Sequence, residues 1–161
     1  MDELNILRTA ILNEVEGYQF YSLAAMRAED ESVKDAFNHL AKEEQQHESW
    51  LRKMYRQLSD NQTPTLEGLD VTEAPSPRIF RPGNVGTESG SLEISVYKIG
   101  ILMEKESMVF YRNAAKEAQT PELKELLQRL AEWEDSHLES LQNIYDTLKE
   151  EWWGQQGFSP A

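Results

Sequence analysis

The chain has no cysteine, which excludes disulfides, thiolate metal sites and a cysteine nucleophile. No stretch approaches the ~18 consecutive apolar residues of a membrane-spanning helix. The start, Met1-Asp2-Glu3-Leu4, lacks the basic and apolar segments of a secretory leader, so a soluble, cytoplasmic protein is expected. Basic residues are scarce, Lys+Arg 16 against Asp+Glu 29, and the formal net charge of -13 argues against nucleic acid or an anionic membrane as partner. Proline and glycine are almost absent from two long stretches and concentrated between them. Pro64, Gly68, Pro75, Pro77, Pro82, Gly83, Gly86 and Gly90 all fall within 60–91, where apolar periodicity also stops.

What is present on either side of that break is helical periodicity. A first helix is expected over about 3–28, with Leu4, Leu7, Ile11, Glu14, Tyr18, Tyr21, Ala25 and Ala28 on one stripe. Ser32, with Asp35 three residues on, is the expected N-cap of a second helix running to about 59. So short a connection makes the two antiparallel neighbours. A third helix is expected over about 92–118, on the stripe Ile94, Tyr97, Ile101, Glu104, Met108, Tyr111, Ala115 and Ala118. Thr120-Pro121-Glu122 signals the start of a fourth, ending near 151. The tail 152–161 is expected to pack on the bundle or on a partner chain. Residues 60–91 read as a crossover, since helices ~40 Å long require about a dozen extended residues to span. The expected architecture is one all-α four-helix bundle over 1–151.

The second helix pair repeats the first at an offset of 90 without a gap. Glu14 maps to Glu104, Tyr21 to Tyr111, Glu44 to Glu134 and His47 to His137. The second helix carries Phe37, Leu40, Glu44, His47, Leu51, Met54 and Leu58 at steps of three and four; the fourth carries Leu127, Leu130, Glu134, His137, Leu141, Ile144 and Leu148. Each is an apolar core stripe interrupted by Glu-x-x-His. An isolated buried carboxylate is strongly disfavoured unless neutralised or bound to a cation.

With four stripes facing inward, the interruptions meet. One Glu from each of two helices plus Glu-x-x-His from each of the other two is the ligand set of dinuclear carboxylate bundles. The candidate metal ligands are therefore Glu14, Glu44, His47, Glu104, Glu134 and His137. Four carboxylates and two neutral imidazoles are neutralised by two divalent ions, and oxygen and imidazole donors suit iron, manganese or zinc better than copper(I). Glu16 and Glu106 also repeat at offset 90, but lie about 200° around the helix from the favoured pair. Tyr21 and Tyr111, two turns beyond Glu14 and Glu104, are candidates to hydrogen-bond a ligand carboxylate or serve the redox chemistry, with a plain core role as the alternative. His39 falls off the stripe and reads as a surface residue; Trp50, Trp133, Trp152 and Trp153 read as packing or interface residues.

These residues, with Glu44-Gln45-Gln46-His47, Glu134-Asp135-Ser136-His137 and the segment 104–111, resemble the rubrerythrin branch of the ferritin-like superfamily. The resemblance covers both hairpins. It implies a ferritin-like bundle with a left-handed crossover and a di-iron centre, commonly in a homodimer. Glu44 and Glu134 would bridge the ions, Glu14 and Glu104 would be terminal, and each His would hold one ion. Reduction of hydrogen peroxide is the implied reaction. Two family features are missing: the four-cysteine rubredoxin iron site, and an extra carboxylate one turn from the third-helix Glu, where Ile101 and Ser107 stand. The expected function is thus a non-haem di-iron oxidoreductase using hydrogen peroxide or dioxygen, with electrons from an external donor such as a rubredoxin-like protein. The alternatives are non-catalytic iron storage or handling, and a manganese or zinc bundle.

Overall fold

The computed structural model describes residues 2–69 and 94–157. The described residues form four helices: α1 (Glu3–Arg27), α2 (Glu31–Ser59), α3 (Ile94–Glu117) and α4 (Pro121–Gln155). Most of the expected crossover, and the residues before Ile94 where the third helix was expected to begin, lie outside the described residues, as does the crossover's hand.

The helix starts show which residues satisfy the free N–H groups of a first turn. Asp2 caps α1 by accepting from the Asn5 backbone. Asp30, rather than the expected Ser32, caps α2: its carboxylate accepts from the Ser32 and Val33 backbones, so the helix begins one residue before Ser32. A carboxylate beside a helix N-terminus also gains from the helix dipole, an advantage a serine hydroxyl lacks. Thr120 stands at the N-cap of α4 with Pro121 following, but its side chain makes no capping bond. Its hydroxyl instead donates to Glu3 Oε2 at 2.8 Å, while the Gln119 and Thr120 backbones donate to Glu3 Oε1 at 2.8 and 2.7 Å. Glu3 thereby ties the start of α1 to the turn between α3 and α4. α4 continues to Gln155, past the expected end near 151, and carries Trp152 and Trp153 in edge contact and 43% exposed. The described part of the tail, 152–157, thus continues α4 through its last turn.

α1 packs on α2 and α3 on α4, giving the two hairpins; α1 also touches α3, and α2 touches α4. Contacts pair residue 14 with 111 and 21 with 104 across α1/α3, and 43 with 137 and 47 with 134 across α2/α4. A rising number on one helix meets a falling number on the other, so both pairs are antiparallel. α2 and α3 are then parallel and diagonal, so Ser59 and Ile94 lie at opposite ends of the bundle.

Two apolar cores stand at opposite ends. One joins Tyr21, Phe37 and Leu40 of the first hairpin to Tyr97, Ile101, Leu141 and Ile144 of the second. The other joins Leu7, Leu51 and Met54 to Tyr111, Leu127 and Leu130. Adding 90 to the named first-hairpin members of one core, or subtracting 90 from its second-hairpin members, yields residues in or packed against the other core, so the cores are images of each other about a pseudo-twofold axis between the hairpins. Full burial of each large side chain contributes about 1.5–3 kcal/mol. The buried faces of α1 and α3 are wider than the expected stripes, because small residues (Ala10, Gly17 and Ala24; Gly100, Ser107 and Ala114) are also buried. Gly17 is needed for close approach: a Cβ there would lie 3.1 Å from Glu44 Cδ.

Candidate metal centre

Between the two cores lies a polar layer. Glu14, Glu44, His47, Glu104, Glu134 and His137 are all buried, each at most 3% exposed. Helical periodicity brings this about: each interrupts an apolar stripe halfway along its helix, so the leucines on either side carry it inward. Glu16 and Glu106 are exposed, as their place around the helix requires.

The six residues form two overlapping groups. Glu14, Glu44, His47 and Glu134 offer ligand atoms within 4.8 Å of one another, and so do Glu44, Glu104, Glu134 and His137. Glu44 and Glu134 belong to both groups; each histidine belongs to one. His47 Nδ1 lies 3.4 Å from Glu14 Oε2, 3.9 Å from Glu44 Oε2 and 3.5 Å from Glu134 Oε1. His137 Nδ1 lies 3.3 Å from Glu44 Oε1 and 3.4 Å from Glu104 Oε1.

The donor set fits a pair of cations. Among the described residues, Glu14 Oε2, His47 Nδ1, Glu104 Oε2, Glu134 Oε1 and His137 Nδ1 are buried without a hydrogen-bond partner. Each orphaned polar atom costs about 1–3 kcal/mol. So many of them gathered in one dry layer make sense if they share positive charge. The titration behaviour agrees. Burial pushes Glu44 and Glu134 well above the usual carboxylate range, and their carboxylate neighbours push the same way. Burial also pushes Glu14 and Glu104 upward, but hydrogen bonds from Glu44 and Glu134 and the adjacent imidazoles outweigh it and bring both below their ordinary value. Burial would lower the His137 imidazole, but Glu104, Glu43 and Glu134 raise it well above its ordinary value. Protons are thus held where divalent ions would replace them.

The tyrosines do not serve the glutamate two turns before them. Tyr21 donates its hydroxyl to Glu104 Oε1 and Tyr111 donates to Glu14 Oε1, each across α1/α3 to the opposite hairpin. Burial first, then the neighbouring carboxylates, pushes both phenols well above their ordinary value, so each keeps its proton.

One functional contact escapes the sequence stripes. His137 Nε2, the nitrogen turned away from the ligand cluster, lies 2.5 Å from Glu43 Oε2. Glu43 Oε1 in turn lies 3.1 Å from His39 Nε2, so the exposed His39 is linked to the buried layer after all. Glu43 sits about 100° off the stripe. The signal available in the sequence was a break in the repeat, since the position matching Glu43 holds Trp133. Trp50 and Trp133 pack on the His47 ring at centroid distances of 5.3 and 5.0 Å, a packing role at the site itself.

Comparison with known proteins agrees with this geometry. A solved structure, a hypothetical protein from Pyrococcus furiosus, is 25% identical and superposes with a TM-score of 0.68 over 94% of this chain and 92% of its own. No curated protein sequence matches the chain. The family model described as rubrerythrin matches residues 5–145, which takes in both hairpins and all six buried candidate ligands. The chain belongs to the rubrerythrin family.

Proposed function

We propose that the chain is a dinuclear iron protein of rubrerythrin type that oxidises a ferrous pair with hydrogen peroxide or dioxygen and is re-reduced by an external donor. The observation that carries this reading is the pair of buried, overlapping ligand groups whose two shared members are both carboxylates. Glu44 and Glu134 would be shared between the ions, Glu14 and Glu104 would each serve one, and His47 and His137 one each. Iron is favoured over zinc or manganese by family membership. A bound ferrous pair supplies two electrons to the oxidant.

The chain's own residues supply the rest. The apolar cores on both sides keep bulk water from the layer. Tyr21 and Tyr111 donate hydrogen bonds to Glu104 and Glu14, where they hold the carboxylate orientation. With no cysteine in these 161 residues, no thiolate-bound iron within them can provide electrons, so the electrons come from outside them, as from a rubredoxin-like donor. An apolar stripe on the outward side of α1 and α3, including Leu12, Leu23, Leu102 and Val109, each at least 50% exposed, favours a homodimer.

The position of the missing family carboxylate bears on the oxidant. Two residues stand one turn from Glu104: Ile101, in the apolar core, and Ser107, which is buried and donates its hydroxyl to Asn13 Oδ1 at 3.0 Å. The test is to load apo-protein anaerobically with two ferrous equivalents and mix it in stopped flow with peroxide or with air-saturated buffer. Growth of ferric near-ultraviolet absorption with either oxidant supports the redox reading, and the faster oxidant names the reaction. Ferrous binding with no oxidation by either would overturn it in favour of iron storage or handling.

A further inference from the structure

The repeat places the same ligand types in both halves but gives the two histidines different surroundings. Each ring turns Nδ1 toward the carboxylates and Nε2 outward. Behind His137, Nε2 meets the Glu43 carboxylate at 2.5 Å. Glu43 is itself held on its other oxygen by His39, and its side chain is only 12% exposed. Behind His47 the matching position is Trp133, whose ring meets the imidazole edge-on at 78°. Trp50 covers another side of His47, whereas its counterpart at offset 90 is Ser140, whose hydroxyl donates to the Ser136 carbonyl. His47 Nε2 is buried with no hydrogen-bond partner among the described residues.

An imidazole that binds a cation through Nδ1 must carry its proton on Nε2. A carboxylate accepting that proton fixes the tautomer, holds the ring at its angle and strengthens the donor nitrogen; loss of such a partner typically costs 10–100-fold in metal affinity. At His137 this support is built in. At His47 no such acceptor stands behind Nε2 among the described residues, and the rings of Trp50 and Trp133 pack on the imidazole instead, contacts much weaker than a charge-assisted hydrogen bond.

We propose that Glu43 is a positioning residue for His137 and that it makes the two cation positions unequal, the one held by His137 filling first. Glu43 acts through the imidazole and is not itself a ligand. The inference rests on reading the buried layer as a two-metal site, and it goes further by breaking the equivalence that the duplication suggests.

The test is calorimetric titration of the apo-protein with Co2+, an air-stable divalent probe. The wild type should bind two ions in separable steps differing by about 10–100-fold. Glu43→Gln, nearly isosteric at a partly exposed position, should weaken the tighter step by a similar factor, leave the weaker step within about twofold, and leave the helical circular dichroism of the apo-protein unchanged. His47→Ala should remove the weaker step and His137→Ala the tighter. A second measurement needs no Glu43 variant: at one equivalent of Co2+, proton NMR of the wild type should show one strongly shifted exchangeable signal from a histidine Nε2–H, retained in His47→Ala. Two equal steps in the wild type, or a Glu43→Gln variant whose two steps are both unchanged or equally weakened, would overturn the inequality while leaving the metal site standing. No Co2+ binding at all by the wild type would overturn the two-metal reading instead.

Discussion

The hairpins α1/α2 and α3/α4 agree at Glu14/Glu104, Tyr21/Tyr111, Leu40/Leu130, Glu44/Glu134, His47/His137 and Leu51/Leu141. They disagree at Gly17/Ser107, His39/Arg129, Glu43/Trp133 and Trp50/Ser140. The matched Glu and His positions meet in one polar layer to which both hairpins contribute, with the matched leucines in the cores on either side. Removing a carboxylate from either copy would leave the remaining charges unbalanced, so the pairing there is physically enforced. At the unmatched positions the surroundings of the two histidines differ. Glu43 touches His137 but not its own hairpin's His47, and Trp133 covers His47. A duplicated unit can therefore hold a symmetric set of ligand residues inside an asymmetric support.

The most severe way to break the symmetric part is Glu44→Ala with Glu134→Ala, which removes the two residues common to both groups. Both metal ions should be lost while the far-ultraviolet circular dichroism stays helical; metal analysis after gel filtration checks it. Retention of two ions would refute the ligand assignment. Next come the two cores. Phe37 and Leu127 occupy equivalent places in opposite ends of the bundle. Phe37→Ala should cost about 3–5 kcal/mol and Leu127→Ala about 2–5 kcal/mol in urea unfolding. Similar losses would show that the ends fold as one cooperative unit.

A smaller effect separates protons from metal. Glu44, Glu134 and His137 are raised above their ordinary values of 4.5, 4.5 and 6.5 in the metal-free chain. Their contributions to stability are fully present below those ordinary values and are lost as pH rises through the folded ones, at up to about 1.4 kcal/mol per pH unit per group. Glu14 and Glu104 are lowered, so theirs are lost in the opposite direction, as pH falls below 4.5 through their folded values. Above 4.5 the apo-protein should therefore melt at lower temperature as pH rises. Metal binding needs deprotonated ligands and strengthens over the same interval. Calorimetric melting of apo and loaded protein should show the gap widening with pH; a constant gap would contradict the assignment. The smallest effect tests Gly17 against Ser107. Gly17→Ala should push the Glu44 carboxylate by a few tenths of an ångström, since the new Cβ would lie 3.1 Å from its Cδ. Metal affinity should fall severalfold, while alanine's better helix propensity, worth up to ~1 kcal/mol, offsets the loss in apo stability. Ser107→Ala provides the comparison, because it adds no atom and removes only the hydrogen bond to Asn13.

The helices, the two hairpins and the six inward ligand candidates were legible in the sequence because each depends on local periodicity. A Glu or His that replaces a leucine on a strongly apolar stripe goes where the stripe goes, and the gap-free offset of 90 ties the four stripes into one symmetric set. Periodicity specifies a face, however, and not the neighbour that the face will meet. Only the tertiary structure decided that Tyr21 reaches Glu104 and Tyr111 reaches Glu14, because α1 and α3 run antiparallel with those residues at matching heights. Only the packing of α2 on α4 brought Glu43, off its own stripe, behind His137. The start of α2 at Asp30 and the diversion of the Thr120 hydroxyl to Glu3 were settled by competition between alternative hydrogen-bond partners, two close in sequence and one 117 residues away. The sequence by itself determined which residues lie inside; the tertiary structure decided which of them touch, because contact between helices depends on heights and angles that no single helix encodes.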